Sequence, residues 1–282
     1  MATVREQPLV GAYGLRLHGV DAAAPLLVAA DPSWPLVEIR VAVGADERSA
    51  EFVADDRAEV HLRDGGAIRL DRTTSRAEFT VPRPLTAHEL VHPYLAPVAA
   101  VMAHWLGRES FHAGAVALDG DVWGIVGDRF SGKSSMLAWL AGAGHDVVCD
   151  DMLVLDAATA TAYAGPRSID LRRDAAERLE AGEALGVVGA RERWRLVLGP
   201  LSSSLVLRGW VFLAWGERTE LRRLSGQERL ELLASQRGLR VAARDPAALV
   251  DLISLPCWEL RRPRDWSLIG DAGATLLDRI AA

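Results

Sequence analysis

The chain has 282 residues and a formal net charge of −6, and 50% of its residues are hydrophobic and 25% charged. This composition excludes an intrinsically disordered chain, and the length allows one large domain or two modest ones. The mild acidity argues against nonspecific nucleic-acid binding, and there is neither a signal-peptide pattern nor an apolar run of about 18 residues that would cross a membrane. Two cysteines, Cys149 and Cys257, cannot form a disulfide framework, which favours a cytoplasmic location.

The first hundred residues are typical of a β-rich region. Six short runs with partial alternation of apolar and polar residues predict strands over 13–19, 35–43, 50–54, 58–63, 67–70 and 77–81. Apolar residues then recur at helical spacing over 87–106, which predicts a helix interrupted near Pro93 and Pro97. We therefore predict a β-rich N-terminal region over 1–96 and a second domain over 97–282.

The middle of the chain predicts a strand–loop–helix–strand unit. Apolar runs over 111–118 and 122–126 are typical of strands, and a glycine loop and a helix over 133–143 follow. Another strand is expected from Val147. Such a unit within about 30 residues indicates a βαβ arrangement and a parallel sheet.

Later segments continue the α/β pattern. Ser225 and Glu228 have the spacing of a capping box at the start of a helix. The remaining predicted helices and strands cover 174–185, 205–215 (one strand or two), 225–235, 246–253, 255–260 and 268–280.

Residues 127–134 read Gly-Asp-Arg-Phe-Ser-Gly-Lys-Ser and fit the Walker A pattern of a phosphate-binding loop, or P-loop. Glycines let the backbone turn tightly and direct successive N–H groups at phosphates, while the next helix adds its positive end. We expect Lys133 to reach the β- and γ-phosphates of ATP and the Ser134 hydroxyl to bind Mg²⁺. The alternative is a glycine turn with no ligand. The predicted nucleotide-binding residues are Gly127, Asp128, Arg129, Phe130, Ser131, Gly132, Lys133, Ser134 and Ser135.

Lys133 is the single lysine among 32 basic residues. A coding bias towards arginine explains the loss of the others but not the retention of this one, since lysine supplies a compact charge that the planar arginine fork does not. Two residues of the loop depart from the usual small side chains. Arg129 could add charge near a triphosphate or remain solvated, and Phe130 could cover the site or pack beneath it.

Two carboxylates, Asp150 and Asp151, follow the strand after the loop. Ligands of open α/β sheets bind at the carboxyl ends of strands, so we expect the pair beside the loop. One could hold Mg²⁺ and the other could accept a proton from an attacking hydroxyl; the alternative is a solvated acidic turn. His112 precedes the loop strand and is a candidate for phosphate contact or proton handling, although a lone histidine is more often structural.

These residues resemble the HPr kinase/phosphorylase catalytic domain. The resemblance depends on the His112 segment, the loop fifteen residues later, and Gly144-His145 followed by Asp150 and Asp151. Weaker similarity covers Gly11-Ala12-Tyr13-Gly14-Leu15, Gly165-Pro166-Arg167 and Leu255-Pro256-Cys257-Trp258-Glu259-Leu260. Those segments resemble the HPr kinase-related proteins encoded beside ribosomally made peptides, including lasso peptides.

The resemblance implies a fold shared with phosphoenolpyruvate carboxykinase, in which a mixed, twisted sheet carries a P-loop. It implies transfer of the γ-phosphoryl group of ATP to a serine hydroxyl. Asp150 would then be the base towards the acceptor, Asp151 and Ser134 would hold Mg²⁺, and His112 would lie near the phosphates with Lys133. Family enzymes assemble into oligomers, which leaves a homo-oligomer open here.

Two departures narrow the expected activity. The bifunctional enzymes carry an acidic residue where this chain has Ser135, and their glycine-rich segment downstream of the acidic pair is not found. We therefore expect a kinase without the reverse reaction, acting on a peptide or protein hydroxyl, with no nucleic-acid or membrane partner. A small-molecule acceptor and a nucleotide-binding regulator without transfer remain alternatives. Arg167, Arg172 or Arg173 could meet the nucleotide or an acidic substrate.

The tryptophans in apolar runs are expected to pack in the core rather than to stack on bases. They are Trp105, Trp123, Trp139, Trp210 and Trp215.

Overall fold

A computed structural model describes residues 9–45, 50–63 and 65–280 and has a mixed α/β architecture with three sheets in those ranges. The strands are β1 (Val10–Ala12), β2 (Leu15–His18), β3 (Val28–Ala29), β4 (Leu36–Val43), β5 (Phe52–Val53), β6 (Arg57–His61), β7 (Ala67–Asp71), β8 (Arg76–Val81), β9 (Glu109–Phe111), β10 (Gly114–Leu118), β11 (Asp121–Val126), β12 (Asp146–Cys149), β13 (Leu153–Asp156), β14 (Thr161–Tyr163), β15 (Ser168–Leu171), β16 (Glu183–Val188), β17 (Arg191–Val197), β18 (Ser204–Trp215), β19 (Glu220–Arg223) and β20 (Cys257–Arg262). The α-helices are α1 (Ala87–Glu89), α2 (Leu95–Trp105), α3 (Lys133–Gly142), α4 (Arg173–Leu179), α5 (Gly226–Ser235), α6 (Pro246–Ser254) and α7 (Ile269–Ile280). Within the described ranges, no helix is long and apolar enough to cross a membrane.

The N-terminal sheet contains the six strands that the sequence predicts, together with β1 and β3. Its order is β3-β1-β2-β4-β8-β7-β6-β5. The pairs β2–β4 and β4–β8 are parallel and the other pairs are antiparallel. β1 and β3 have two or three residues each, too few for alternation to reveal them.

The predicted helix over 87–106 is broken, as expected, next to Pro93. His92 has an extended backbone (φ −149°, ψ 123°) within a π-helical turn, Leu90–Tyr94, that joins α1 to α2. Pro97 lies in the first turn of α2, where a missing N–H group is tolerated, so it interrupts nothing. Buried residues of α2 belong to one apolar cluster that also includes the N-terminal sheet and part of the second sheet. The division after residue 96 stays a prediction.

The second sheet differs from the predicted βαβ unit in one respect. β12 does not pair with β11, because the β10–β11 hairpin places β10 between them. Both β11 and β12 are antiparallel to β10, so they run in the same direction and end at the same edge. The parallel neighbour of β11 is β18, a single strand, which is itself parallel to β20.

Alternation along β11 divides the core into two layers. Val122 and Val126 face the cluster that contains α2, whereas Trp123 and Ile125 face the cluster that contains α3 and α7. Helices therefore cover both faces of the second sheet, and α3 is positioned directly after the glycine-rich loop.

The predicted helix over 174–185 is wrong in its second half. α4 ends at Leu179, and Glu180 and Gly182 adopt the left-handed conformation (φ 49° and 86°). The chain then forms the β16–β17 hairpin, which pairs with β15 in a small antiparallel sheet. By contrast, the capping box of Ser225 and Glu228 at α5 is confirmed.

Glu89 connects α1 to its surroundings. Its carboxylate is buried, pairs with Arg83, and accepts hydrogen bonds from the backbone N–H groups of Thr86 (3.0 Å) and Gly189 (3.4 Å). The Arg83 hydrogen bond is the main reason that the pKa of Glu89 falls to about 2. Since this pKa is depressed in the folded state, the carboxylate stabilises the fold above its unfolded pKa, and the contribution is lost as the pH falls towards 2.

We expect Glu89→Gln to lower the free energy of unfolding at pH 7 by about 1 to 3 kcal/mol, because charge-assisted hydrogen bonds are lost. The deficit should shrink between pH 4.5 and pH 2. Urea unfolding at several pH values would measure it, with Glu217→Gln, an exposed turn residue, as the control. An equal deficit at pH 7 and pH 2 would contradict the role of the charge.

Candidate active site

The glycine-rich loop (127–134) connects the end of β11 to the start of α3. Gly127, Phe130 and Gly132 have positive φ angles (150°, 69° and 83°), which fold the backbone into a tight cradle. Lys133 Nζ donates hydrogen bonds to the carbonyl oxygens of Gly127 (2.7 Å) and Asp128 (3.4 Å). The lysine therefore bridges its own loop, while the first N–H groups of α3, which have no intrahelical partners, open onto the same space.

Burial affects the charge of Lys133. The residue is 8% exposed, and desolvation lowers the pKa of its amine, while Asp150, Asp151 and Asp128 act in the opposite direction. A buried ammonium is placed to attract a polyanion because the low dielectric strengthens its field, although the nearby carboxylates offset part of that attraction.

Asp150 and Asp151 lie at the end of β12, beside the loop. Asp150 Oδ1 accepts hydrogen bonds from Ser134 Oγ (3.1 Å) and from the N–H group of Asp151 (2.9 Å). Burial, followed by the charge of Asp151, raises the pKa of Asp150 to about 6. Asp151 adopts a left-handed backbone (φ 68°), so the chain turns sharply at the pair.

Two histidines flank Asp151. His112 lies between β9 and β10, and its Nδ1 atom is 3.0 Å from the carbonyl oxygen and 3.4 Å from Oδ1 of Asp151. Burial lowers the pKa of His112. His92, at the break before α2, places Nδ1 3.7 Å from Asp151 Oδ2 and Nε2 4.0 Å from Asp170 Oδ2. His92 is not among the residues predicted from the sequence, because a histidine at a helix break gives no local sign of the strand end that it faces.

The oxygen donors at this point fit Mg²⁺. They are the hydroxyl of Ser134 and the carboxylates of Asp150 and Asp151, and hard oxygen ligands are those that Mg²⁺ prefers. Within the described ranges, no group of three or more His, Cys, Asp or Glu side chains is arranged as a metal cage. Mg²⁺ in phosphoryl-transfer sites commonly uses one or two carboxylates together with substrate phosphates, so no such cage is required.

Aromatic side chains form the rim above the loop. Phe130 is 55% exposed, and the guanidinium groups of Arg129 (5.0 Å) and Arg172 (4.6 Å) both lie over its ring. This exposure contradicts the alternative in which Phe130 packs beneath the site; that it covers the site stays a prediction. Trp215 is 40% exposed and donates a hydrogen bond to the Phe130 carbonyl (3.2 Å), so its predicted place in the core is wrong. It is the last residue of β18 and pairs with Arg262, the last residue of β20, at the carboxyl end of both strands.

Arg262 supports the loop from below. It is 3% exposed, stacks on Trp215 (4.4 Å), and donates from Nη2 to the carbonyl oxygens of Ser131 (2.9 Å) and Gly132 (3.5 Å). Among the described residues, its Nη1 atom has no hydrogen-bond partner, nor has the buried hydroxyl of Ser131. Burial lowers the pKa of Arg262 to about 10. The sequence contained a signal for this role of Arg262, because the residue lies just after the strand predicted over 255–260 and the carboxyl ends of parallel strands meet at one edge of a sheet.

The three arginines considered from the sequence have different positions. Arg172 lies at the rim. Arg167 is buried and donates to the carbonyl oxygens of Val147 (2.7 Å) and Gly199 (2.9 Å), which gives it a structural role. Arg173 is exposed and pairs with Glu192 (3.2 Å) outside the cavity.

These groups line one open cavity of about 1160 Å³. The loop from Arg129 to Ser135, the carboxylate pair and both histidines contribute to it. So do residues 60–63, from the end of β6 in the N-terminal sheet, and the β16–β17 hairpin. The cavity is thus built from all three sheets.

Comparisons with known proteins do not assign the chain to a family. No family model matches the chain, and no curated protein matches it. Among solved structures, the Hpr(Ser) kinase/phosphatase from Coxiella burnetii matches with 12% identity and a TM-score of 0.33, covering 61% of this chain and 97% of that one. At this level of similarity, an activity has to be argued from the side chains of the site.

The backbone of the loop can be tested through Gly127. A Cβ atom there would lie 2.7 Å from the carbonyl oxygen of Leu213, and the φ of 150° is unfavourable for other residues. We expect Gly127→Ala to lower the free energy of unfolding by about 1 to 3 kcal/mol. Gly142→Ala, at the end of α3 with no atom within 4 Å of its Cβ, is the matched control and should be neutral or stabilising. Chemical denaturation would compare them; equal stability would show that the loop relaxes freely.

Proposed function

We propose that the protein is an ATP- and Mg²⁺-dependent kinase that transfers the γ-phosphoryl group of ATP to a serine hydroxyl of a peptide or protein. A ribosomally made precursor peptide is one such acceptor. The observation that carries the proposal is the contact between Ser134 Oγ and Asp150 Oδ1 at 3.1 Å, immediately beside the buried amine of Lys133. A phosphate cradle, a metal-ligand hydroxyl and a carboxylate are then adjacent, which is the combination that phosphoryl transfer requires.

Each group has a role in this proposal. The N–H groups of the loop and the Lys133 amine bind the phosphates of ATP, and Phe130 and Trp215 cover them. Mg²⁺, held by Ser134 and Asp151, would neutralise charge on the phosphates. Asp150 accepts the proton of the acceptor hydroxyl. At the same time the hydroxyl oxygen bonds to the γ-phosphorus, and the bond between the γ-phosphorus and the oxygen that it shares with the β-phosphate breaks. A pKa raised to about 6 makes Asp150 a better base than an exposed aspartate near neutral pH.

The open shape of the cavity supports a peptide acceptor, whereas a pocket for a small molecule usually encloses its ligand. The volume does not separate the two acceptors, because ATP would occupy part of the same space. The cavity here, at about 1160 Å³, is open and extends from the loop to the N-terminal sheet. A small-molecule hydroxyl is the second candidate, and a regulator that binds nucleotide without transfer is the third.

We expect Asp150→Asn to lower the rate of phosphoryl transfer by about 10²- to 10⁴-fold, the usual contribution of a general base. ATP binding should remain, because asparagine keeps an oxygen that can accept the Ser134 hydrogen bond. Radiolabelled transfer to serine peptides and calorimetric binding of ATP would measure the two effects separately. Asp278→Asn, an exposed carboxylate on α7, is the control. Loss of ATP binding in Asp150→Asn would remove the assigned role.

Lys133 offers a direct test of nucleotide binding, because it is the only lysine in the chain. A lysine-selective reagent should modify this one side chain and the N-terminal amine. Burial lowers the pKa of the Lys133 amine, so a larger fraction is unprotonated and reactive. Mg²⁺–ATP should protect Lys133 and leave the N-terminal amine unprotected, as read by mass spectrometry. Modification of Lys133 that is unaffected by ATP would overturn the nucleotide site.

A further inference from the structure

β17 carries an alternating row of arginines. Arg191, Arg193 and Arg195 occupy every second position, so their side chains leave the same face of the strand. The intervening residues face the other way: Glu192 pairs with Arg173 (3.2 Å), and the Trp194 ring lies 5.1 Å from the same guanidinium. The arginine face is directed at the cavity, where Arg191 and Arg193 are part of the wall.

The innermost arginine is neutralised. Arg195 is 2% exposed and forms a bidentate pair with Asp170, with Nε to Oδ1 at 2.6 Å and Nη2 to Oδ2 at 2.8 Å. Its Nη1 atom lies 3.0 Å from His88 Nδ1. This pair joins β17 to β15 across their registered positions and fixes the strand in place.

Arg193, two residues nearer the hairpin turn, is not satisfied in this way. Its Nε atom is buried and has no hydrogen-bond partner among the described residues. Burial lowers the pKa of Arg193; the charge of Asp170 opposes that effect, Arg191 adds to it, and Asp151 and Asp150 oppose it more weakly. The Arg193 side chain as a whole is only partly buried and lines the cavity, so the part of it that is exposed there can meet an anionic ligand.

The cavity as a whole is strongly cationic. Its described lining includes nine arginines and Lys133, against five aspartates, although the chain carries a net charge of −6. Such a local excess attracts anions into a cleft and repels cationic ligands. The glycine-rich loop contributes Arg129 and Lys133 to this set, whereas Arg191 and Arg193 belong to a different sheet.

We propose that Arg193, assisted by Arg191, binds a carboxylate of the acceptor next to its serine, so that the substrate is an acidic peptide. This inference rests on the proposed kinase function and names its substrate class. The planar guanidinium fork matches a carboxylate in a bidentate geometry. Arg193 and the base Asp150 line the same cavity, so one short peptide can present a side-chain carboxylate to the first and a hydroxyl to the second.

The test compares three serine peptides of equal length, flanked by Asp and Glu, by Asn and Gln, or by Lys. With the full chain, the acidic peptide should have the lowest KM. Arg193→Gln should raise that KM by about 10- to 100-fold, the value of one or two charge-assisted hydrogen bonds, and should leave the KM for ATP and for the neutral peptide nearly unchanged. Arg193→Lys, which keeps the charge without the fork, should give an intermediate value.

Arg208→Gln is the matched control, because this exposed arginine pairs with Asp121 on the second sheet and does not line the cavity. Thermal unfolding of each variant verifies that the fold is retained. Equal KM values for acidic and neutral peptides, or an effect of Arg193→Gln on ATP alone, would overturn the inference while leaving the kinase intact. Preference for a small hydroxy acid over all peptides would overturn it as well.

A binding measurement separates this inference from the proposed function. Fluorescence anisotropy with labelled peptides, in the presence of a non-hydrolysable ATP analogue, needs no turnover. Tighter binding of the acidic peptide, weakened by Arg193→Gln, would support the anion site even if no transfer occurred, in which case the kinase proposal alone would fail. Binding that does not depend on peptide charge would contradict the inference, whether or not the protein transfers phosphate.

Discussion

The hydrogen bond between Ser134 and Asp150 depends on where two strands end. β11 leads into the glycine-rich loop and β12 leads into the carboxylate pair, yet the strands do not pair with each other. Because β10 lies between them and is antiparallel to both, their carboxyl ends meet at one edge of the sheet. α3 closes the connection and presents Ser134 in its first turn. Without this arrangement, the hydroxyl and the carboxylate that define the site would be on different edges.

The charged side chains of the site fall into two groups, those whose buried polar atoms all have partners within the protein and those with a buried polar atom that has none in the described ranges. Asp170 and Arg195 are both buried and satisfy each other in a bidentate pair, with His88 beside them. Arg262 is buried and Arg193 is partly buried, and each retains a buried guanidinium nitrogen without a partner among the described residues. An unmet buried donor is uncommon in folded proteins, and such groups often indicate function. The same contrast distinguishes Arg167, whose guanidinium is occupied by backbone carbonyls.

Local sequence signals predicted most of the elements and the loop with its neighbouring carboxylates. Alternation revealed β4 and β6–β8, and a capping box located the start of α5. The local signals failed where pairing between distant segments determines the structure. Apolar spacing continued past Leu179 and concealed the β16–β17 hairpin, and no local pattern shows that β10 would separate β11 from β12. His92, Arg193 and Arg262 reach the cavity from distant parts of the chain, so only the fold could bring them together. Trp215 looked like core because nothing in its apolar run shows where the sheet ends.

The parts of the cavity wall come from different sheets, and this has a consequence for how the wall can change in evolution. The loop and the carboxylate pair belong to the second sheet, whereas the arginine face belongs to a short hairpin that contributes to the wall from outside. On a strand with two-residue alternation, changes at 191 and 193 alter the face towards the cavity and leave the Glu192 and Trp194 contacts in place. Residues 191 and 193 can therefore change in evolution without altering the glycine-rich loop or the carboxylate pair.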